Sequence, residues 1–267
     1  MKINIKSWIM QEKLALKGRV EASLKRTPPR LLIIQVGDLK ESNAYVSGKV
    51  RDCEEIGVHS TILKISAKNA YKEITSFLKN NGKNYDGIIL QEPSGLDERE
   101  REDVLKCILP SQDVDGFKVD SWYYPCTPAG IFEILENFYQ GDGMVVTMVG
   151  RGEMVGKPLI PMLVEEGYTV LCANSRTPDL KALTSMSDIV ITATGRRNLI
   201  TRDMLKDGAF VIDAGIAFDE NGKICGDCDK DMYDDPNIQI TTVPGGVGLV
   251  TRYMLIDNVV EAWENSN

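Results

Sequence analysis

Histidine is almost missing from this chain: His59 is the one copy among 267 residues. That count excludes any mechanism that needs two imidazoles, including a two-histidine zinc centre or a histidine-rich metal cluster. A Ser-His-Asp triad would have to use His59, which lies in Gly57-Val58-His59-Ser60-Thr61 just beyond a predicted helix and reads as a surface or loop-packing residue. Long apolar runs are missing too, and none approaches the ~18 residues that span a bilayer. The first twenty residues carry Lys2, Lys6, Glu12, Lys13, Lys17 and Arg19, so no secretory leader is expected and a cytoplasmic, reducing setting is. Basic charge is in deficit: Lys+Arg 31 against Asp+Glu 39 leaves a net −8, which argues against nucleic acid or an anionic membrane as the main partner. Of the six cysteines, Cys225-Gly226-Asp227-Cys228 forms a C-x-x-C with no second pair at ligand spacing, so it reads as incidental and no metal is expected. The chemistry therefore falls to Lys, Asp, Tyr or a bound cofactor.

What the chain has in plenty is short, continuous apolar runs, each closed by a turn residue and followed by a helix-like stretch. They are residues 31–36, 87–91, 145–149, 169–172, 189–192, 210–212 and 238–241. Continuous apolarity is what strands covered on both faces require, and strands alternating with helices predict a parallel α/β fold. Ser42 ahead of Asn43 to Ile56, with Gly57 behind, predicts a capped helix. Thr127-Pro128 predicts the opening of another over Ala129 to Tyr139. The Gly/Asp-rich stretch 140–143 reads as a linker, dividing a domain over 1–140 from one over 141–249. A final helix within 250–267 carries an apolar stripe at Met254, Leu255, Val259, Ala262 and Trp263 and is expected to pack back on the first domain.

The second domain opens with a strand over 145–149, then Gly150-Arg151-Gly152-Glu153-Met154-Val155-Gly156, then a helix. Close-spaced glycines between a strand and a helix start form a phosphate-binding corner in dinucleotide folds, since they admit the pyrophosphate to the backbone N–H groups. Spacing of G-x-G-x-x-x-G is one residue longer than the usual fingerprint, and an ordinary turn would show the same glycines. After the next strand, Ala173-Asn174-Ser175-Arg176 lacks the acid that holds an NAD ribose. Ser175, Arg176 and Arg151 offer donors to a phosphate instead, which favours NADP over NAD. Thr194 and Gly195, at another strand end, fall where a dinucleotide would pass. In the first domain Tyr45 and Lys49 share a helix face, and Asp113-Val114-Asp115-Gly116 places two carboxylates in a turn. Each is also what a plain surface helix or turn would show. Pro244-Gly245-Gly246-Val247-Gly248 keeps side chains out of a strand-end crevice.

Taken in order, these segments resemble the bifunctional methylenetetrahydrofolate dehydrogenase/methenyltetrahydrofolate cyclohydrolase family over nearly the whole chain. The carriers are Val36-Gly37-Asp38 with Ser42 to Lys49, Gly87 to Pro93, Asp113 to Phe117, Pro125 to Pro128, Val149 to Gly152 with Val155 to Pro158, and Val243 to Gly248. The resemblance implies an N-terminal α/β catalytic domain facing a Rossmann-type, doubly wound NADP domain across a cleft, in a homodimer. It implies that Tyr45 stacks on tetrahydrofolate, Lys49 serves the hydrolysis, Gln91 orients that lysine and Asp115 holds the pterin. The cofactor would lie on Gly150, Arg151, Gly152, Val155, Gly156, Ser175, Arg176, Thr194 and Gly195, and Pro244, Gly245 and Gly246 would touch the folate. The implied activity is oxidation of 5,10-methylenetetrahydrofolate with NADP, then hydrolysis to 10-formyltetrahydrofolate.

The pattern is broken in several places. Glu92 follows Gln91 where leucine is usual, Gly152 stands for a serine, Asn174 for a histidine, Gln112 for a lysine and Leu249 for a proline. Two rival expectations follow. One is a monofunctional, NAD-linked dehydrogenase whose proton chemistry Glu92 has spoiled. The other is a non-catalytic homologue that binds folate or nucleotide; intact Tyr45, Lys49, Gln91 and Asp115 argue against it.

Overall fold

All seven continuous apolar runs are strands in the computed structural model, which describes residues 1–23 and 27–266, without the side chains of Lys40 and Glu41. Asn267, at the end of the expected 250–267 segment, lies outside the described residues. The chain separates into two compact units: Met10–Cys126 with Arg252–Asn267, and Met1–Ile9 with Thr127–Thr251. The first is built on a three-stranded sheet and the second on a five-stranded one.

In the three-stranded unit, β1 (Arg30–Val36) lies between β2 (His59–Ile65) and β3 (Gly87–Gln91), all parallel. Alternate residues of a strand face opposite ways, and both faces of this sheet are covered. Leu31, Ile33 and Ile89 pack with Val46, Cys53 and Ile56 of α2 (Lys40–Ile56) and with Leu255, Val259 and Trp263 of α8 (Val247–Asn265). Leu32, Ile34, Ile88 and Leu90 pack with Ile74 and Leu78 of α3 (Ala70–Asn81) and Val104 of α4 (Glu98–Lys106). Fully burying a side chain of this size stabilises the fold by about 1.5–3 kcal/mol, so covering both faces explains why these strands carry no polar alternation. Trp263 adds a directional tie, its indole N–H donating to the Thr27 carbonyl at 2.9 Å.

Two details differ from the sequence expectation. His59 is a surface residue as expected, but it lies on a strand and not in a loop, at the exposed start of β2, an edge strand where only Ile65 is buried. Its mixed composition hid it from a search for continuous apolarity. Ser42 is not an N-cap either. The helix begins at Lys40 after Leu39, and Ser42 is buried inside it with its hydroxyl accepting from Gln35 Nε2 at 3.3 Å. The other end is as expected: Gly57 takes φ +98°, and its N–H donates to the Cys53 carbonyl at 2.9 Å.

The five-stranded unit orders its parallel strands β10 (Gln239–Ile240), β7 (Phe210–Asp213), β6 (Ile189–Thr192), β4 (Val145–Val149) and β5 (Thr169–Ala173). From β4 the chain passes through α6 (Gly156–Glu165) to β5 on one side. It then returns through α7 (Leu180–Met186) to β6 on the other. The direction of winding reverses there, and open α/β sheets bind ligands at the carboxyl ends of such strands. A two-stranded hairpin, β8 (Ala217–Phe218) with β9 (Ile224–Cys225), follows β7.

The units divide at 126/127 rather than at the expected 140/141. Residues after Cys126 in α5 (Cys126–Phe138) pack within the five-stranded unit: Phe138 meets Trp8 of α1 (Ile5–Ala22) edge-on at 5.4 Å. Tyr139 meets Phe210 at 5.4 Å and donates its hydroxyl to the Gly143 carbonyl at 2.7 Å. The first nine residues join the same unit through an Ile3 N–H donated to the Ile240 carbonyl at 2.9 Å.

Candidate functional site

In the three-stranded unit the site residues are set on α2 and on the loops that follow β3. Tyr45, Gly48, Lys49 and Asp52 are spaced i, i+3, i+4 and i+7, which puts them on one helix face. Lys49 Nζ donates to Gln91 Oε1 at 2.9 Å. Gln91 ends β3 and is buried; its Nε2 donates to the Glu92 carbonyl at 2.8 Å, which fixes the amide so that the oxygen faces the lysine. Asp115 is half-buried in the turn before Gly116, where φ is +77° and a Cβ would lie 2.5 Å from the Tyr124 carbonyl, so glycine is required. Burial pushes the Cys126 thiol well above its ordinary range; Asp115 and Asp113 push it further and Lys49 opposes them. Lys49, which Gln91 holds, and Asp115 thus both act on this one buried thiol. Burial also raises the Tyr45 phenol, opposed by the positive charge of Arg252, and so keeps it protonated.

Among the described residues Glu92 forms no ion pair with Lys49. Its carboxylate accepts from the Ser94 N–H at 2.6 Å and from Arg101 Nε at 3.0 Å. Gln112, in place of the lysine, is a structural strut that donates to the Gly82 and Tyr85 carbonyls at 3.1 and 2.6 Å.

In the five-stranded unit, Gly150 follows β4 with φ +101°, and a Cβ there would lie 2.5 Å from the Ala193 carbonyl oxygen beyond β6. A Cβ on Gly156 would collide with the Gly150 carbonyl and stand 2.8 Å from Arg151 Cα. These two glycines clamp the corner between β4 and α6, whereas Gly152 has open space and does not depend on being glycine. Arg151, Ser175 and Arg176 are exposed, and among the described residues neither arginine pairs with a carboxylate. Asn174 shapes the turn that carries them: its Oδ1 accepts from the Arg176 N–H at 2.9 Å. Unpaired guanidinium groups beside a glycine-clamped helix start fit a phosphate-bearing dinucleotide. Val155 immediately precedes α6. Near the start of α8, Gly245 takes φ +103°, a Cβ on Gly246 would lie 2.5 Å from the Thr242 carbonyl, and the Leu249 N–H donates to Gly246 at 2.9 Å. A proline at 249 could not make that last bond.

One residue of this corner escaped the sequence reading. Fully buried Asp227 holds the loop after β6, accepting from Thr192 Oγ1 and the Thr194 N–H at 2.7 Å each and from the Arg196 N–H at 2.8 Å. Asp213, raised by burial, in turn accepts from the N–H groups of Asp227 and Cys228 at 3.1 and 2.8 Å. Cys225 and Cys228 are buried free thiols on either side of Asp227. The one sequence signal for Asp227 is an acidic residue set between the two cysteines of the C-x-x-C.

Fold and clusters together define a two-unit α/β protein with a dinucleotide-type corner in one unit and a glutamine-held lysine in the other. Residues 3–115 match the catalytic domain of tetrahydrofolate dehydrogenase/cyclohydrolase, and residues 125–267 match the NAD(P)-binding domain of the same enzymes. The chain belongs to the tetrahydrofolate dehydrogenase/cyclohydrolase family. It is 39% identical over 252 residues to the "Bifunctional protein FolD" of Paracidovorax citrulli, covering 90% of this chain and 89% of that one. The crystal structure of the bifunctional FolD of Campylobacter jejuni superposes with a TM-score of 0.91 at 31% identity, covering 99% of both chains. The Trypanosoma brucei dehydrogenase-cyclohydrolase, solved with NADP and an inhibitor, gives 0.89 at 26% identity over 99% of this chain and 97% of that one.

Proposed function

We propose that this protein oxidises 5,10-methylenetetrahydrofolate to the 5,10-methenyl form with NADP and hydrolyses that product to 10-formyltetrahydrofolate. Lys49 held by Gln91 at 2.9 Å is the observation that carries the reading. Removing a hydride from the N5–CH2–N10 bridge leaves a cation shared by both nitrogens, so this step asks no base of the protein. A bound nicotinamide supplies the hydride acceptor. Gly150, Arg151, Gly152, Val155 and Gly156 hold the dinucleotide at the corner, with Thr194 and Gly195 on the neighbouring strand end and Ser175 and Arg176 on the 2′-phosphate. Tyr45, Asp115 and Pro244 to Gly246 bind the folate.

Hydrolysis is where protons move. Water adds to the cationic methenyl carbon and its oxygen releases a first proton; the oxygen then gives up its second proton as the carbonyl forms, the bond from that carbon to N5 breaks, and N5 is left carrying a proton. Lys49 is the group placed to shuttle that proton, and the Gln91 oxygen keeps its ammonium or amine aimed at one position. Engagement of Glu92 by Arg101 and Ser94 weighs against the rival in which that carboxylate disables the lysine.

The test is Lys49→Met, assayed separately for oxidation with NADP or NAD and for decay of supplied methenyl substrate. Hydrolysis is expected to vanish while oxidation persists, with NADP preferred; equal loss of both steps in a folded variant would refute the role of Lys49. The proposal extends to a cytoplasmic homodimer, and light scattering should find a particle of two chains.

A further inference from the structure

Arg252 lies on the α2 face that bears Tyr45 and Lys49, although 200 residues separate it from Asp52 in sequence. Its Nε donates to Asp52 Oδ2 at 2.6 Å, and the other oxygen of that buried carboxylate accepts from Lys13 Nζ at 2.7 Å. One edge of the guanidinium is thereby fixed. The terminal nitrogens donate to no other described residue, and the side chain is 25% exposed. Gly48 makes this possible: a Cβ there would lie 2.9 Å from Arg252 Nη1 and 3.4 Å from Cζ. The guanidinium therefore rests on the bare backbone at 48, one turn from Tyr45, whose phenol feels its charge.

A planar cation held along one edge, with its remaining donors free beside a half-buried phenol, is a receptor for a two-oxygen anion, and a carboxylate matches its fork. The pterin and the one-carbon bridge of the proposed substrate carry no such group; its glutamyl tail does. We propose that Arg252 is a specificity-determining residue that binds a carboxylate of that tail, an inference that rests on the folate reading above.

The experiment compares 5,10-methylenetetrahydrofolate with the corresponding tetrahydropteroate, which lacks the glutamate, and reads the ratio of the two kcat/KM values. The wild-type protein is expected to favour the glutamylated form by about tenfold to a hundredfold, the range of one charge-assisted hydrogen-bonded pair. Arg252→Ala brings the ratio toward one through KM, and Arg252→Lys restores part of it. Gly48→Ala, which displaces the guanidinium without removing it, lowers the ratio in the same direction. A merely structural brace on Asp52 would lower stability and leave the ratio alone, because both substrates meet the same variant. A wild-type ratio near one, or a variant that keeps the wild-type ratio, overturns this inference alone. A wild-type protein that oxidises neither compound overturns the proposed function and this inference with it.

Discussion

Replacing Asp227 by asparagine removes half of an acceptor that the structure uses three times. Thr192 Oγ1, the Thr194 N–H and the Arg196 N–H all donate to its carboxylate, at 2.7, 2.7 and 2.8 Å, and the residue is fully buried. An asparagine has to present its NH2 to at least one of these donors. The least costly choice faces it to Arg196, losing one hydrogen bond to a charged group at about 1.5–3 kcal/mol and weakening the other two by about 1 kcal/mol each. The expected loss of about 3–5 kcal/mol is a large share of the 5–15 that typically holds a domain together. Its effect should concentrate on the loop after β6. If ~1.4 kcal/mol of it reaches the bound dinucleotide, NADP affinity falls about tenfold. Urea unfolding and calorimetric titration with NADP measure the two parts, and hydrolysis of supplied methenyl substrate, which calls on Lys49 and Gln91, is expected to continue. Wild-type NADP affinity together with a wild-type unfolding midpoint would refute the role given to Asp227.

Glu92→Gln should leave hydrolysis of the methenyl substrate intact, because Arg101 and Ser94 already hold that carboxylate. Stability should fall by about 1 kcal/mol or less, as for a partly exposed pair, and a large change in the hydrolysis rate would show that the charge acts on Lys49. Lys206 is hydrogen-bonded to Asp188, and this bond first, then the Val145 N–H, holds the Asp188 carboxyl below its ordinary range. A depressed carboxyl contributes stability that is present above its unfolded value and is lost as pH falls through its folded one. Lys206→Ala should thus unfold more easily than wild type at neutral pH, and the gap should close on acidification; denaturant melts across the acid range would read it.

The strands were legible because burial on both faces leaves an unbroken apolar run, as in Leu31 to Val36. The edge strand β2 was not, since half of its residues meet water and their mixture of His59, Ser60, Thr61 and Lys64 resembles a loop. Of the site, Tyr45 and Lys49 were readable from helix spacing and Gly150 and Gly156 from a strand-to-helix turn. What distance in sequence conceals is partnership. Asp227 meets Thr194 across 33 residues and Arg252 meets Asp52 across 200, whereas the meeting of Gln91 with Lys49 across 42 was expected only through the family resemblance. Ser42 failed as a cap for a related reason: its hydroxyl found Gln35 on the neighbouring strand, a tertiary partner invisible to a local motif.

The interleaving of the two units along the chain bears on how a ribosome makes this protein. Ile3 precedes its partner Ile240 by more than two hundred residues. Leu31 and Ile33 likewise wait for Leu255, Val259 and Trp263 to cover one face of their sheet. The five-stranded unit has all its residues only once Thr251 is made, and the three-stranded unit, begun much earlier, has to wait beyond that for the segment that starts at Arg252. Until then one apolar face of β1 and β3 has α2 against it but lacks Leu255, Val259 and Trp263 of α8, and a nascent chain stalled before residue 250 is the form in which chaperones should be found holding this protein.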